Sequence, residues 1–185
     1  RPSRSSEYMS TLRIRTFGDP VLREPARPVE HFDEALRRLA GDMVVTMHEA
    51  PGVGLAAPQV GRALRLIVFD IGEEGNGARS LANPVLRDEW GEQVAEEGCL
   101  SLPGLYYPVA RSEKVWADGY DLDGHEVTVE GRELLARVLQ HEVDHLNGVL
   151  FIDRLDAEHR SQAMSDIRDQ ALGLAAPSHD PARAL

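Results

Sequence analysis

Cysteine is almost missing from this chain: Cys99 stands alone among 185 residues. A single thiol cannot close an internal disulfide, so a disulfide-stapled scaffold is excluded and a reducing compartment fits. Lysine is equally scarce. Of 20 basic residues only Lys114 is a lysine, a usage that points to a GC-rich genome rather than to chemistry. Basic charge is outweighed by 31 acidic residues, for a formal net charge of −11. An acidic surface repels phosphate backbones, which argues against direct sequence-specific nucleic-acid binding. No apolar run approaches the roughly 18–20 residues that span a bilayer, so no membrane partner is expected. Residues 1–10 are basic and serine-rich but lack the apolar stretch of a secretory signal. They are expected to be a disordered leader or a cloning remnant, with Met9 as a natural start.

What is present suits one domain with a sizeable core, expected over residues 11–172, followed by a disordered tail over 173–185. Thr11 to Val29 carries Pro20, Pro25 and Pro28 and reads as extended, turn-rich chain. Phe32 to Ala50 reads as a helix, with Phe32, Leu36, Leu39, Met43 and Met47 at helical spacing and Asp33 near its start. Pro51 and Gly52 end it. Strands are expected over 64–71, 80–86, 93–97, 113–120 and 126–130. Arg132 to Asn147 reads as a second helix stopped by Gly148, and Asp156 to Leu172 as a third. Helix, several strands, helix, helix predicts an α+β fold.

The segment Gln140-His141-Glu142-Val143-Asp144-His145 carries the chemistry. On an α-helix, residues four apart lie about 40° apart around the axis and about 6 Å along it. Two imidazoles there can converge on one ion. Glu142, beside the first of them, can accept a proton from water whose pKa a divalent ion has lowered. Two histidines by chance on an exposed helix would give the same pattern. Against that, Leu134, Leu135, Val138 and Leu139 bury the same side of the helix, where unpartnered imidazoles and carboxylates are costly. A catalytic site of this kind needs a third protein ligand and an open position. In the longer zinc-protease pattern Gly148 falls in place, but the third histidine falls at Phe151, which cannot ligate. Two candidates remain: a downstream carboxylate such as Glu158, and Cys99. A lone cysteine is more often a small buried apolar residue than a ligand. His159 reads as a surface residue.

Three segments together resemble the peptide deformylase family: Gly52-Val53-Gly54-Leu55-Ala56-Ala57-Pro58-Gln59, Glu97-Gly98-Cys99-Leu100-Ser101, and the His141–His145 segment. The likeness runs from about Leu12 through Leu155 and includes Asn83-Pro84 and Leu150-Phe151-Ile152-Asp153. The resemblance implies antiparallel β-strands packed around a central metal-binding helix, with an N-terminal and a C-terminal helix. It implies removal of the formyl group from the formyl-methionine of newly synthesised polypeptides, in the bacterial cytoplasm, with transient ribosome association. It implies one Fe(II) per chain, replaceable by Zn, Ni or Co, held by Cys99, His141 and His145. Glu142 would be the base, and the Gln59 amide and the Leu100 backbone N–H would stabilise the oxyanion. Gly54 would let the substrate backbone approach. Val53, Leu100, Leu134 and the ring of His141 would line a methionine pocket. Glu97, Asp144 and Arg111 would orient the ligands.

The sequence departs from the family pattern at Glu133, where glycine is usual, at Ala110, where proline is common, and at Arg137, a position often apolar near the side-chain pocket, where it is expected to make the pocket rim more polar. The C-terminal helix sets Arg154, Arg160 and Arg168 against Asp156, Glu158, Asp166 and Asp169, so it lacks the basic character that would suit ribosome docking. Two other functions share the motifs: a metallopeptidase with a carboxylate third ligand, and a metal-stabilised binder of N-terminal methionine peptides. A binder needs neither Glu142 nor Gln59.

Overall fold

The computed structural model describes residues 9–73, 76–174 and 185. After extended chain and a 3-10 turn at Pro20–Arg23, α1 spans Glu34–Glu49. It starts where the Asp33 carboxylate accepts the Leu36 N–H at 3.0 Å, a side-chain cap on an otherwise orphaned donor. Short β1 (Gly54–Ala56) leads through a 3-10 turn, Ala57–Val60, to β2 (Leu66–Phe69) and β3 (Arg79–Trp90). β4 (Gln93–Cys99), β5 (Leu102–Arg111), β6 (Lys114–Tyr120) and β7 (Glu126–Arg132) follow. α2 (Glu133–Leu146), a 3-10 turn (Phe151–Arg154) and α3 (Ala157–Ala171) complete the order. The three helices fall where apolar periodicity and capping residues predict them, and the α+β class holds.

All pairings between these strands are antiparallel. β1-β2-β3-β6-β7 form one sheet and β4-β5 a second. Along β6, Val115, Ala117 and Gly119 alternate inward, the period of two that one buried face demands. β5 escapes the sequence reading because Pro103, Gly104 and Pro108 interrupt it. In its two-stranded sheet, Leu102, Leu105, Tyr107, Val109 and Arg111 still point inward, and the exposed Pro103 and Pro108 are tolerated at an edge. The β3–β6 register slips between Ala82 and Val85, where Asn83 adopts a left-handed φ of 51°. Its side chain accepts the Val29 N–H at 2.7 Å and donates to the Val29 carbonyl at 3.0 Å, clamping the N-terminal segment to the sheet.

α2 lies between the two sheets, touching β1, β2, β3, β6 and β7 on one side and β5 on the other. Its Val138, Leu139 and Leu146 share a cluster with Ile67, Phe69, Leu81, Val115 and Val129. α1 packs Leu36, Met43 and Met47 against Leu55, Leu66 and Val68. The remaining cluster joins Leu102, Leu105 and Val109 of β5 to Leu150, Phe151 and Ile152. Most of the expected leader and tail lies outside the described residues. Ser10 is tied down by its N–H to Asp42, and Leu185 is buried.

Candidate active site

Every residue of α2 from Ala136 to Leu146 is buried. A helix buried all round must partner each polar side chain it carries. Gln140 does so by pairing with both backbone groups of Ser112, each at 2.9 Å. Asp144 accepts from Arg111 at 2.6 Å and from Arg154 at 2.7 and 3.0 Å. His141 Nδ1 faces Oε1 of Glu97 at 2.5 Å, so this nitrogen donates to the carboxylate and Nε2 is the atom directed elsewhere, able to ligate an ion once it is free of a proton.

His141 Nε2 points at His145. The two Nε2 atoms are 3.2 Å apart, and Cys99 Sγ lies 3.3 Å from His145 Nε2. Cys99 arrives from the other sheet. The β4–β5 register slips between Glu97 and Cys99, turning the thiol toward α2. One sulfur and two imidazole nitrogens within 4.8 Å of one another fit the donor set of a transition-metal or zinc ion. His145 Nδ1 and both carboxylate oxygens of Glu142 are buried with no partner among the described residues. The Asp121, Asp123 and His125 cluster is different in kind. It is mostly exposed, and the Asp121 carboxylate is already engaged by the N–H groups of Asp123 and His125 in the β6–β7 turn.

The electrostatics follow from burial and pairing. Burial opposes ionisation of Glu97, but His141 and Arg111 outweigh it and hold the carboxyl well below its usual range. Burial likewise disfavours charge on His141, yet Glu97 and Cys99 raise it well above normal; His145 is pushed down by burial and by His141. Glu142 has no such cation bonded to it, and burial pushes its carboxyl up to about 7, a value suited to giving and taking protons near neutrality.

Gln59 is fully buried and its amide is oriented by its surroundings. Oε1 accepts the Ala56 N–H at 2.9 Å, which turns Nε2 toward Ser101 Oγ at 3.1 Å and Cys99 Sγ at 3.6 Å. Gly54 passes so close to Glu142 that an added Cβ would stand 2.5 Å from Oε1. Val53 is partly buried against the α2 cluster, Leu100 against the α1 cluster, and Leu134 is 43% exposed. Beside them, the Leu185 N–H donates to the carbonyl of Gly98 at 3.3 Å, and its side chain joins the cluster containing Val138.

Residues 11–161 match the sequence model of the Polypeptide deformylase family. The chain belongs to that family. A peptide deformylase of Acidothermus cellulolyticus is 54% identical over 162 residues, 87% of this chain and 88% of that protein. One from a Parafrankia strain is 52% identical over 164 residues, 87% of each. The crystal structure of a Legionella pneumophila peptide deformylase superposes with a TM-score of 0.82 at 43% identity, covering 90% of this chain and all of the other. The deformylase segments that are separate in sequence, at Gly52–Gln59, Glu97–Ser101 and Gln140–His145, meet here around one point.

Two departures from the deformylase pattern take on structural meaning. Glu133 occupies the glycine position with a left-handed φ of 49°, so the backbone bend at the start of α2 is retained without the residue that favours it. Arg137, expected at the pocket rim, is instead 2% exposed and donates to Glu97 at 2.7 Å. Its signal was readable in principle: an arginine one turn before His141 on an inward face must have an anion to meet. Ser101, which holds the Gln59 amide, and Arg154, which holds Asp144, also belong to the site and were missed. Neither carries a spacing signal.

Proposed function

We propose that this protein is a metal-dependent hydrolase that removes the N-formyl group from formyl-methionine at the start of new polypeptides and releases formate. The observation that carries the reading is the convergence of Cys99, His141 and His145, with Glu142 buried against Gly54 at the start of β1 and without a partner among the described residues. α2 is then the metal-binding helix around which the strands pack. Fe(II) is the proposed ion, one per chain, with Zn, Ni or Co as substitutes; a thiolate and two imidazoles accept all of them.

When bound, the ion supplies Lewis acidity toward water and the formyl carbonyl. Glu142 takes the proton of the attacking water and delivers it to the departing amine as the C–N bond breaks. The Nε2 hydrogens of Gln59 and the N–H of Leu100 are the donors for charge developing on the formyl oxygen. Arg111 and Asp144 hold Glu97 and the helix in place. The methionine side chain enters between Val53, Leu100, Leu134 and the ring of His141. Of these, Val53 packs against the apolar cluster that also holds Leu185, whose N–H meets the carbonyl of Gly98 next to Cys99.

New polypeptides place the reaction in the bacterial cytoplasm. No helix among the described residues is long and apolar enough to cross a membrane. Ribosome association through α3 is disfavoured by its acidic residues. Pelleting with ribosomes at low salt should not change when residues after Leu155 are removed, and a loss of binding would assign docking to this helix.

The test is formate release from formyl-Met-Ala-Ser by protein loaded anaerobically with Fe(II). Wild type should turn over, Glu142→Ala should keep its metal and lose activity, and Cys99→Ser should lose metal. Wild type that is folded, metal-loaded and peptide-bound but releases no formate would refute the hydrolase reading.

A further inference from the structure

Glu97 is surrounded by more cations than its charge requires. Oε1 accepts from His141 Nδ1 at 2.5 Å and from Arg111 Nη2 at 2.6 Å. Oε2 accepts from Arg111 Nε at 3.2 Å and from Arg137 Nη1 at 2.7 Å. Four donors thus saturate the roughly four acceptor sites of one carboxylate. Glu97 and Asp144 are already balanced by Arg111 and Arg154, two against two. Arg137 is a third guanidinium, held away from solvent, which neutralisation alone leaves unexplained.

Geometry supplies a reason. Of the two bonds that fix Oε2, the one from Arg137 is shorter by half an ångström. Without it, Oε2 would keep only the long contact to Arg111, and the carboxylate could rotate about the Oε1 side. His141 takes its ring orientation from Oε1. Arg137 also donates to the carbonyls of Val109 at 3.0 Å and Gln93 at 3.3 Å, so it locks Glu97 to both strands of the β4–β5 sheet from a point four residues before His141 on α2. One side chain therefore sets the position of the Cys99-bearing strand relative to the histidine-bearing helix.

We propose that Arg137 is a positioning residue of the metal centre, fixing the Glu97 carboxylate that aims His141. The proposal rests on Cys99, His141 and His145 being the metal ligands. It is distinguished from a plain staple between helix and sheet, which would affect stability and leave metal affinity alone.

The experiment measures Zn(II) affinity by competition with a chromophoric chelator, beside the thermal midpoint of the metal-free protein. Arg137→Met keeps the bulk of the side chain and removes its donors. It should bind Zn(II) about 10–100-fold more weakly than wild type, the usual effect of losing a partner that orients a ligand. Arg137→Lys, which keeps one donor in reach of Oε2, should recover most of that loss. Adding Arg137→Met to Glu97→Gln should weaken binding little further, because both act through one carboxylate. Should Arg137→Met fail to fold, Arg137→Gln carries the same expectation. A lowered midpoint with Zn(II) affinity within about twofold of wild type would overturn the proposal, as would full additivity with Glu97→Gln. Wild type that binds no Zn(II) would instead overturn the metal-site reading on which it rests.

Discussion

A methyl group on Gly54 would stand 2.5 Å from Oε1 of Glu142, closer than any carbon and oxygen tolerate without movement. From the family resemblance, the bare backbone there is expected to admit an approaching substrate. Within the folded chain it also makes room for the Glu142 carboxylate. Gly54→Ala should therefore cost about 100-fold in turnover, the scale set by an ångström of misplacement, while metal content stays at the wild-type level. Formate release normalised to bound metal checks this, and an unchanged rate would show that Glu142 has room to shift. Glu142 itself makes a second prediction. Its carboxyl is raised by burial from about 4.5 to about 7 in the metal-free protein. Between those values the folded chain holds a proton that the unfolded chain has released, so this group lowers stability as pH rises through the window and has no further effect above it. Relative to wild type, metal-free Glu142→Gln should gain roughly 3 kcal/mol between pH 4.5 and 7, at about 1.4 kcal/mol per unit. Urea denaturation of both proteins across that range measures the difference; parallel curves would mean that Glu142 titrates normally.

Glu133 shows strain at the scale of an element. α2 must leave β7 through a left-handed residue to bring His141 and His145 beneath Cys99, and here that residue is not glycine. The conformation costs an L-residue about 1–2 kcal/mol, partly offset by the greater freedom glycine has when unfolded. The backbone partners of Glu133, the Gln93 amide and the Glu113 carbonyl, do not depend on its side chain. Glu133→Gly should stabilise the protein by about 0.5–1 kcal/mol, read as a rise of a few degrees in thermal midpoint. A fall would mean that the Glu133 carboxylate contributes to the first turn of α2 more than its backbone costs. The elements themselves were legible to different degrees. α1, α2 and α3 announce themselves through periodicity and the capping aspartates Asp33 and Asp156. β5 does not, because two prolines and a glycine mask an alternation that matters only once β4 lies beside it.

Across the whole molecule, the described chain brings its own Leu185 to the region proposed for the substrate methionine. A methionine seated on Val53 would meet the apolar cluster that Leu185 already joins. Leu185→Asp, a change far from any ligand in sequence, should lower KM for formyl-Met peptides a few-fold and leave kcat in place. Equal KM values would show that Leu185 does not contest the site. The two sheets also divide the labour of the centre. The large sheet and α2 form one apolar body, while β4 and β5 bring Glu97, Cys99, Val109 and Arg111 to its polar side.

Sequence alone determined the α+β order, the helix that holds His141, Glu142 and His145, and, through three short segments, the family. Each is a local property: spacing along a helix, a capping side chain, a run of residues with one consistent chemistry. Spacing alone left the third ligand open between Cys99 and a carboxylate, only the family resemblance singled out Cys99, and Arg137 was expected at the wrong surface. Only the tertiary structure brings Cys99 to the two histidines and Arg137 to Glu97, because Cys99 and His145 lie 46 positions apart, Arg137 and Glu97 lie 40 apart, and both meetings depend on how α2 is seated between two sheets. Burial then determined the chemistry of each group. The same carboxylic acid is held ionised at Glu97 by the cations and the histidine around it, and pushed toward neutrality at Glu142, where no cation is bonded to it.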